Sequence, residues 1–368
     1  MPKIFIVIVL SSCFLIFYSG CFNPVFDYSI EENCDLSDLL VFCYGSNVLG
    51  IDTTDFSIKA HIRISNSVLG GVAKLPSGGV AITHRGGIHA NGGGNTLYVT
   101  DKNGNLIRTY NICFAPVMPK VIQNILFVGS SVFESGATAG QKFQIYDTDN
   151  FKLRKEYLLC DMIEGWHITS WNNEKAYFGV NVEDAYYYPD WGYSYIVELD
   201  LNTLDTTIIG GETDFFANAS LLAERDGSLL YIFSIRSKDI CIYNMDYKSI
   251  KLSAKTSEYP EIASFDARSL IAPHIYNNFL YGLFTSYDSR GHQTDYLVKF
   301  NPNTIEYVSH VKLVTPEAAI SLGENVFYSG RFLVSQFNDD YDVSAKIIFY
   351  DIETGNIESE VTFNGKRY

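Results

Sequence analysis

Along most of this chain apolar and polar residues alternate with a period of two, the pattern of strands with one buried face. No stretch carries the 3.6-residue period of an amphipathic helix of useful length. Seven times, at intervals of 44 to 57 residues, the alternation runs into an Asp or Asn and breaks. The copies are Val48-Leu-Gly-Ile-Asp52, Leu97-Tyr-Val-Thr-Asp101, Phe143-Gln-Ile-Tyr-Asp147, Ile196-Val-Glu-Leu-Asp200, Ile242-Tyr-Asn244, Leu297-Val-Lys-Phe-Asn301 and Ile347-Ile-Phe-Tyr-Asp351. A tight turn and a second strand follow each. Asp or Asn opens the turn because its side chain can accept hydrogen bonds from backbone amides two residues on. Asp200-Leu-Asn-Thr203, Asn301-Pro-Asn-Thr304 and Asp351-Ile-Glu-Thr354 share one spacing, and Asp101-Lys-Asn-Gly104 and Asp147-Thr-Asp-Asn150 are variants of it. The last two lack the downstream Glu of a calcium loop, so these turns carry structure rather than chemistry. Upstream of the repeated turns, pairs of apolar segments meet at Ser77-Gly78-Gly79, Gln123-Asn124, Asn172-Asn173, Asp226-Gly227, Asn277-Asn278 and Gly330-Arg331, where Gly and Asn accept positive φ.

A repeat of this length built only from strands predicts an all-β chain, a seven-bladed β-propeller of four-stranded antiparallel blades. With 26 Tyr and 25 Phe, the packing between blades is expected to be rich in aromatic rings. Blade one is the least complete in the sequence: only 38–44, 46–51 and 56–64 read as strands before blade two begins. We expect an N-terminal strand to close the ring by pairing with the C-terminal blade, since an open propeller exposes strand edges.

The first twenty residues read as an export signal: Lys3 supplies a positive start, and Ile4 to Phe17 is an almost unbroken apolar run, too short to span a bilayer comfortably. Tyr18-Ser-Gly-Cys21 resembles a bacterial lipobox, which implies that Cys21 is acylated, for example with palmitate, and becomes the mature N-terminus. Tyr18 departs from the usual Leu, so an ordinary cleaved signal or a retained anchor is the rival. The expected organisation is a signal peptide at 1–20, a lipid-anchored tether at 21–37, with Pro24 to Ile30 as a candidate inner strand, and a propeller domain at 38–368. The net charge of −15, with no basic stretch, argues against nucleic acid as a partner and for solubility at a membrane surface. Cys34 and Cys43 are close enough in sequence to pair, and Cys241, in phase with apolar neighbours, is expected to be a small buried hydrophobe. No cysteine pair has zinc-ligand spacing.

Alternating strand direction places the turn between the two inner strands on one face, together with the repeated outer turn. The second-to-third strand connections leave on the opposite face, and several of them are long: 84–95, 133–141, 181–192, 286–295 and 337–342. Loops of this kind on one rim form a candidate functional face. In the blade-four loop Tyr186, Tyr187, Tyr188, Asp190 and Trp191 crowd together, able to stack on sugar rings or pack on a partner, or to cap the core. His84 and His89 sit among glycines, readable as a metal pair, with Asp295 or Asp340 as distant ligands, or as polar loop residues. His167 and His274 fall on candidate innermost strands, either lining the channel or partly buried.

The strand–Asp–turn pattern resembles the YVTN-type propellers over residues 48–363. That resemblance implies a surface, periplasmic or redox-associated protein and carries over no catalytic residue. Neither a Gly-x-Ser-x-Gly elbow, a His-Glu-x-x-His helix nor a phosphate loop is present. The expectation is a monomeric propeller in the bacterial cell envelope, lipid-anchored at Cys21, binding an envelope protein or glycan through its loop-rich face, without a cofactor. A metal- or quinone-dependent propeller enzyme, a lactonase-type hydrolase or a dehydrogenase with its site over the central channel, is the alternative.

Overall fold

The computed structural model describes residues 28–364 except 33–34, 66, 88–93, 114–115, 131–140, 160–168, 172–173, 182–193, 210–218, 224–226, 235–238, 268–272, 291–292, 314–325, 329–330 and 338–343. These residues form seven antiparallel sheets, each a blade. Blade two is typical: β5 (Ser67–Lys74), β6 (Val80–Gly87), β7 (Thr96–Thr100) and β8 (Leu106–Asn111) pair in chain order. Blade three comprises β9 (Pro116–Ile122), β10 (Ile125–Ser130), β11 (Gln141–Asp147) and β12 (Leu153–Leu159). Blade four comprises β13 (Thr169–Trp171), β14 (Lys175–Asn181), β15 (Ser194–Asp200) and β16 (Thr206–Ile209), and blade five β17 (Ala219–Ala223), β18 (Leu229–Ser234), β19 (Asp239–Asn244) and β20 (Ser249–Lys255). In blade six β21 (Asp266–Ala267) and β22 (His274–Tyr276) both pair with β23 (Phe279–Tyr287), followed by β24 (Gln293–Phe300) and β25 (Tyr307–Lys312). Blade seven is β26 (Val326–Tyr328), β27 (Arg331–Phe337), β28 (Ser344–Asp351) and β29 (Ile357–Asn364).

Blade one is ordered differently. Its strands β2 (Leu40–Tyr44), β3 (Asn47–Asp52) and β4 (Ser57–Ile64) sit where the sequence places them, but β1 (Tyr28–Glu32) adds beyond β4, at the outer edge. The segment expected to be a tether and to supply an inner strand therefore contributes an outer one. Leu36, on a 3-10 turn, is buried in the core, so the folded unit begins by residue 28 rather than 38. Among the described residues the expected pairing of an N-terminal strand with blade seven does not form: β1 pairs with β4, and the four strands of blade seven all come from the C-terminal part of the chain. The reason is geometric. Blades meet face to face, so the ring closes by side-chain packing and needs no ladder hydrogen bonds across the joint.

That packing forms a ring of apolar clusters at the seven seams, with a second, smaller one of Leu49 and Phe363 at the closure between blades seven and one. They join blades one and two, two and three, three and four, four and five, five and six, six and seven, and seven and one. Cys241 is buried in the fourth of these, as its phase implies.

The repeated turn behaves as its chemistry requires. In every blade the opening Asp or Asn accepts a backbone N–H from two residues on, from Thr54 (2.8 Å), Asn103 (2.9 Å), Asp149 (2.8 Å), Asn202 (2.8 Å), Asp246 (3.0 Å), Asn303 (2.9 Å) and Glu353 (3.1 Å). Each turn ends in a left-handed residue: Phe56, Gly104, Phe151, Leu204, Lys248, Ile305 or Gly355. Five of the seven are not glycine, at a strain of roughly 1–2 kcal/mol each. Packing against the preceding blade is what most of them gain. Phe151 lies 5.1 Å from the Tyr110 ring, and Leu204 and Ile305 are buried in inter-blade clusters. Their carbonyls are held from the preceding blade as well: Tyr28 Oη donates to Gly104 O (2.5 Å), Tyr157 Oη to Leu204 O (2.6 Å) and Tyr259 Oη to Ile305 O (2.8 Å). At Gly355 a Cβ would lie 2.1 Å from the Val311 side chain, so there the close approach itself requires glycine.

Candidate functional site

The two faces of the ring differ in how much chain they carry. Between the third and fourth strands every blade spends four to six residues on the repeated turn. Between the second and third strands the spacing runs from two residues in blade one (45–46) to twelve in blade four (182–193), with 88–95, 131–140 and 338–343 also long. The blade-two and blade-six loops are shorter than expected, because β6 continues to Gly87 and β23 to Tyr287 while β24 starts at Gln293.

His84 is thereby moved from the loop into β6, where it is 2 % exposed and stands edge-on to Tyr98 at 6.3 Å. Burial holds its pKa below the usual histidine value, against a smaller opposing effect of the Gly86 backbone, so the ring is held neutral as an interior group. The loop's far end returns beside it: Gly94 N donates to Arg85 O at 3.0 Å, and a Cβ on Gly94 would lie 2.3 Å from the His84 carbonyl oxygen. His274 lies on β22, as its sequence position suggests, half-buried beside Tyr281 of β23, and burial lowers its pKa too. Asp295 is buried on β24 and accepts a hydrogen bond from Thr285 Oγ1 at 2.5 Å. His84 belongs to the seam side of blade two and His274 to blade six, so the structure does not bring these two together.

Tyr186, Tyr187, Tyr188, Asp190, Trp191, His89, His167, Asp340, Cys21 and Cys34 lie outside the described residues. Among the described residues, no three His, Cys, Asp or Glu side chains gather as a metal site, and no helix is long and apolar enough to cross a membrane. One rim residue was not singled out from the sequence. Tyr287 ends β23 on the long-loop face with 59 % of its surface exposed, followed by a turn in which Asp288 Oδ1 accepts the Arg290 N–H at 2.8 Å. The signal is visible in retrospect, an aromatic at the strand end immediately before Asp-Ser-Arg.

No family model matches the chain, and comparison with curated proteins finds no match. Solved structures do match over nearly its whole length. The fold is a β-propeller. BamB from Moraxella catarrhalis is similar with a TM-score of 0.53 and 13 % identity over 92 % of both chains. KlAtg21, solved in complex with the coiled coil of AgAtg16, gives 0.56 and 13 % over 91 % of this chain and 98 % of that one. The quinohemoprotein alcohol dehydrogenase ADHIIG from Pseudomonas putida HK5 gives 0.53 and 11 % over 92 % and 70 %. Identities this low establish a shared propeller architecture, on which binding proteins and enzymes are both built.

Proposed function

We propose that this propeller is a lipid-anchored protein of the bacterial cell envelope that binds a protein or glycan partner on the rim of its second-to-third strand connections. The observation that carries the reading is the asymmetry between the faces: seven near-identical turns on one side, connections of two to twelve residues on the other. Variable loops on a rigid ring are where recognition is built, because they can change without cost to the core. Tyr287 puts an exposed aromatic on that rim, and the sequence adds Tyr186, Tyr187, Tyr188 and Trp191, with Asp190 among them, to the same side; Tyr and Trp are residue types that dominate interface energetics. The complex of KlAtg21 with a coiled coil is an instance of this architecture serving a protein partner. The enzyme alternative draws its support from the fold shared with the alcohol dehydrogenase.

A photo-crosslinking residue at Tyr287 or Trp191, compared with one at Tyr247, an exposed aromatic on the repeated-turn face, tests the rim in native envelopes. Adducts from the two rim positions and none from Tyr247 are expected; adducts from Tyr247 alone would overturn the assignment. Mass determination of the mature N-terminus tests the anchor separately, with an acylated Cys21 expected.

A further inference from the structure

The outer strands of six of the seven blades share one irregularity, which makes its occupants comparable. Just after the repeated turn the register shifts, leaving one residue of the fourth strand without a counterpart on the third. That residue is Lys59 in blade one, Ile107 in blade two, Arg154 in blade three, Lys251 in blade five, Val308 in blade six and Glu358 in blade seven. A bulge carrying a charge keeps other strands from pairing with the edge, and four of the six positions are charged accordingly. Blade two departs furthest. Ile107 is 63 % exposed and its neighbour Leu106 39 %, whereas Val308 is 45 % exposed and follows the half-buried Tyr307. Leu106 alone is ordinary, since the exposed Leu153 and Ile357 hold the matching positions of blades three and seven. Among the described residues, no other two large apolar side chains adjacent in the chain are both exposed.

The place of this apolar tip on the ring suggests its use. The described chain begins with Tyr28 on β1, at the outer edge of blade one. Tyr28 Oη donates to Gly104 O at 2.5 Å, in the turn that leads into β8. Leu106 is two residues beyond Gly104, so at most about 7 Å of chain separates them. Cys21 precedes Tyr28 by seven residues, a span of at most about 25 Å when fully extended. An acyl chain on Cys21 therefore holds the outer edge of blades one and two close to the lipid headgroups. Charge at this edge is nearly balanced, unlike the −15 of the whole chain. Lys102 pairs with Asp35 at 3.0 Å and Lys59 with Asp55 at 2.9 Å. Arg63 and Arg108 then stand against Glu31 and Glu32, with the turn-opening Asp52 and Asp101 besides.

We propose that the outer edge of blades one and two is a membrane-docking surface, with Leu106 and Ile107 entering the lipid interface and Arg108 at the level of the headgroups. The proposal rests on the acylation of Cys21 in the reading above and deepens it. The ring then stands on its edge, with the long-loop rim open to the side rather than pressed onto the bilayer. Because the anchor makes the contact intramolecular, a weak apolar contact suffices to hold this orientation.

The test uses the full chain, processed in a bacterial host and reconstituted into phosphatidylcholine vesicles. An environment-sensitive fluorescent amino acid replaces Ile107 or, for comparison, Val308. Doxyl groups on the lipid acyl chains are expected to quench the probe at 107 several-fold more than the probe at 308. With the probe instead at Thr109, an exposed neighbour on β8, Ile107→Lys is expected to reduce quenching several-fold. The same change should leave the melting temperature and the attachment to vesicles as they were, because the side chain is exposed and the anchor is intact. Equal quenching at 107 and 308, or quenching at 109 that survives Ile107→Lys, overturns the docking surface. An acylated Cys21, read by mass on the same sample, would in that case leave the anchor standing; an unmodified Cys21 overturns both.

Discussion

The seam between blades five and six and the seam between blades seven and one solve the same packing problem with different means. At five–six the chain crosses over, and residues 256–265 do so in turns of three: Tyr259 N donates to Thr256 O (3.1 Å), Ile262 N to Tyr259 O (3.0 Å) and Phe265 N to Ile262 O (2.9 Å). That period drives Ile262 and Phe265 into the inter-blade core, where Phe265 stacks on Tyr296 at 4.2 Å. Two tyrosine hydroxyls, of Tyr231 and Tyr259, then hold the blade-six turn by its carbonyls. At seven–one the two blades come from opposite ends of the described chain and exchange no strand. Phe42, Ile51, Ile347, Phe349 and Val361 form the cluster, Phe56 meets Phe349 edge-on at 4.8 Å, and His61 meets Phe363 at 4.9 Å. Closure of the ring thus rests on face-to-face apolar burial, and a covalent crossing is an addition to it.

The largest effect is expected from emptying each cluster of one buried phenylalanine ring. Phe349→Ala and Phe300→Ala both remove a fully buried ring and should each cost about 3–5 kcal/mol in denaturant titrations. Their hydrogen-exchange maps should differ. Without a crossing to limit the opening, Phe349→Ala should raise exchange throughout β2–β4 and β28–β29, whereas the loss at Phe300 should remain within blades five and six. Equal spreading in the two variants would remove the distinction between the seams.

Next in size is the left-handed turn residue. Ile305→Gly relieves roughly 1–2 kcal/mol of backbone strain but deletes a fully buried side chain of the kind worth about 2–5 kcal/mol. A net destabilisation of about 1–3 kcal/mol is expected from that difference. Lys248→Gly, at the equivalent but exposed position of blade five, has only the strain to relieve and should stabilise by about 1 kcal/mol. If both changes stabilise, inter-blade packing is not what holds the strained turn.

That contrast also marks how far the sequence could be read. The turn-opening Asp and Asn were legible because their chemistry is local: one side chain bonding amides two residues away. The left-handed Phe56, Phe151, Leu204 and Ile305 were not, since a bulky apolar residue gives no local sign of positive φ and its compensation lies in the next blade. The three main strands of blade one were legible from alternation, whereas the outer placement of β1 depends on pairing with a strand some thirty residues away. At the candidate site, alternation put His274 on an inner strand. It could not show that Tyr281 and Lys299 share its face, because that is set by register.

Smaller again is the hydroxyl staple. Tyr259→Phe keeps the ring and removes the bond to Ile305 O, an expected loss of about 1 kcal/mol. Ile305→Gly keeps the carbonyl that Tyr259 holds but loosens the turn presenting it, so the two changes act on neighbouring groups, and a double-mutant cycle should find the double variant costing less than the sum of the singles.

The smallest expected effect is one of pH, and it separates the seams by the group placed at the closure. His61 sits on β4 with Nε2 2.9 Å from Asn47 Oδ1 and the Phe363 ring beside it. Its pKa is lowered chiefly by burial, with Arg63 acting the same way and Glu31 and Glu32 of β1 opposing. A depressed histidine pKa means that the unfolded chain takes up the proton first. Stability is therefore fully present above the unfolded value near 6.5, falls as pH drops through it, and levels off below the folded value. His84 and His274 shift in the same direction and add to this acid loss without belonging to the closure. His61→Gln should accordingly flatten, not abolish, the decline in melting temperature below about pH 6.5. Acid should also raise hydrogen exchange in β4 and β29 of the wild type, and not of the variant, while leaving β19 and β20 of blade five, which contains no histidine and faces the five–six seam, unchanged in both. A pH response of equal size at the two seams would show that protonation weakens the ring as a whole and not its closure.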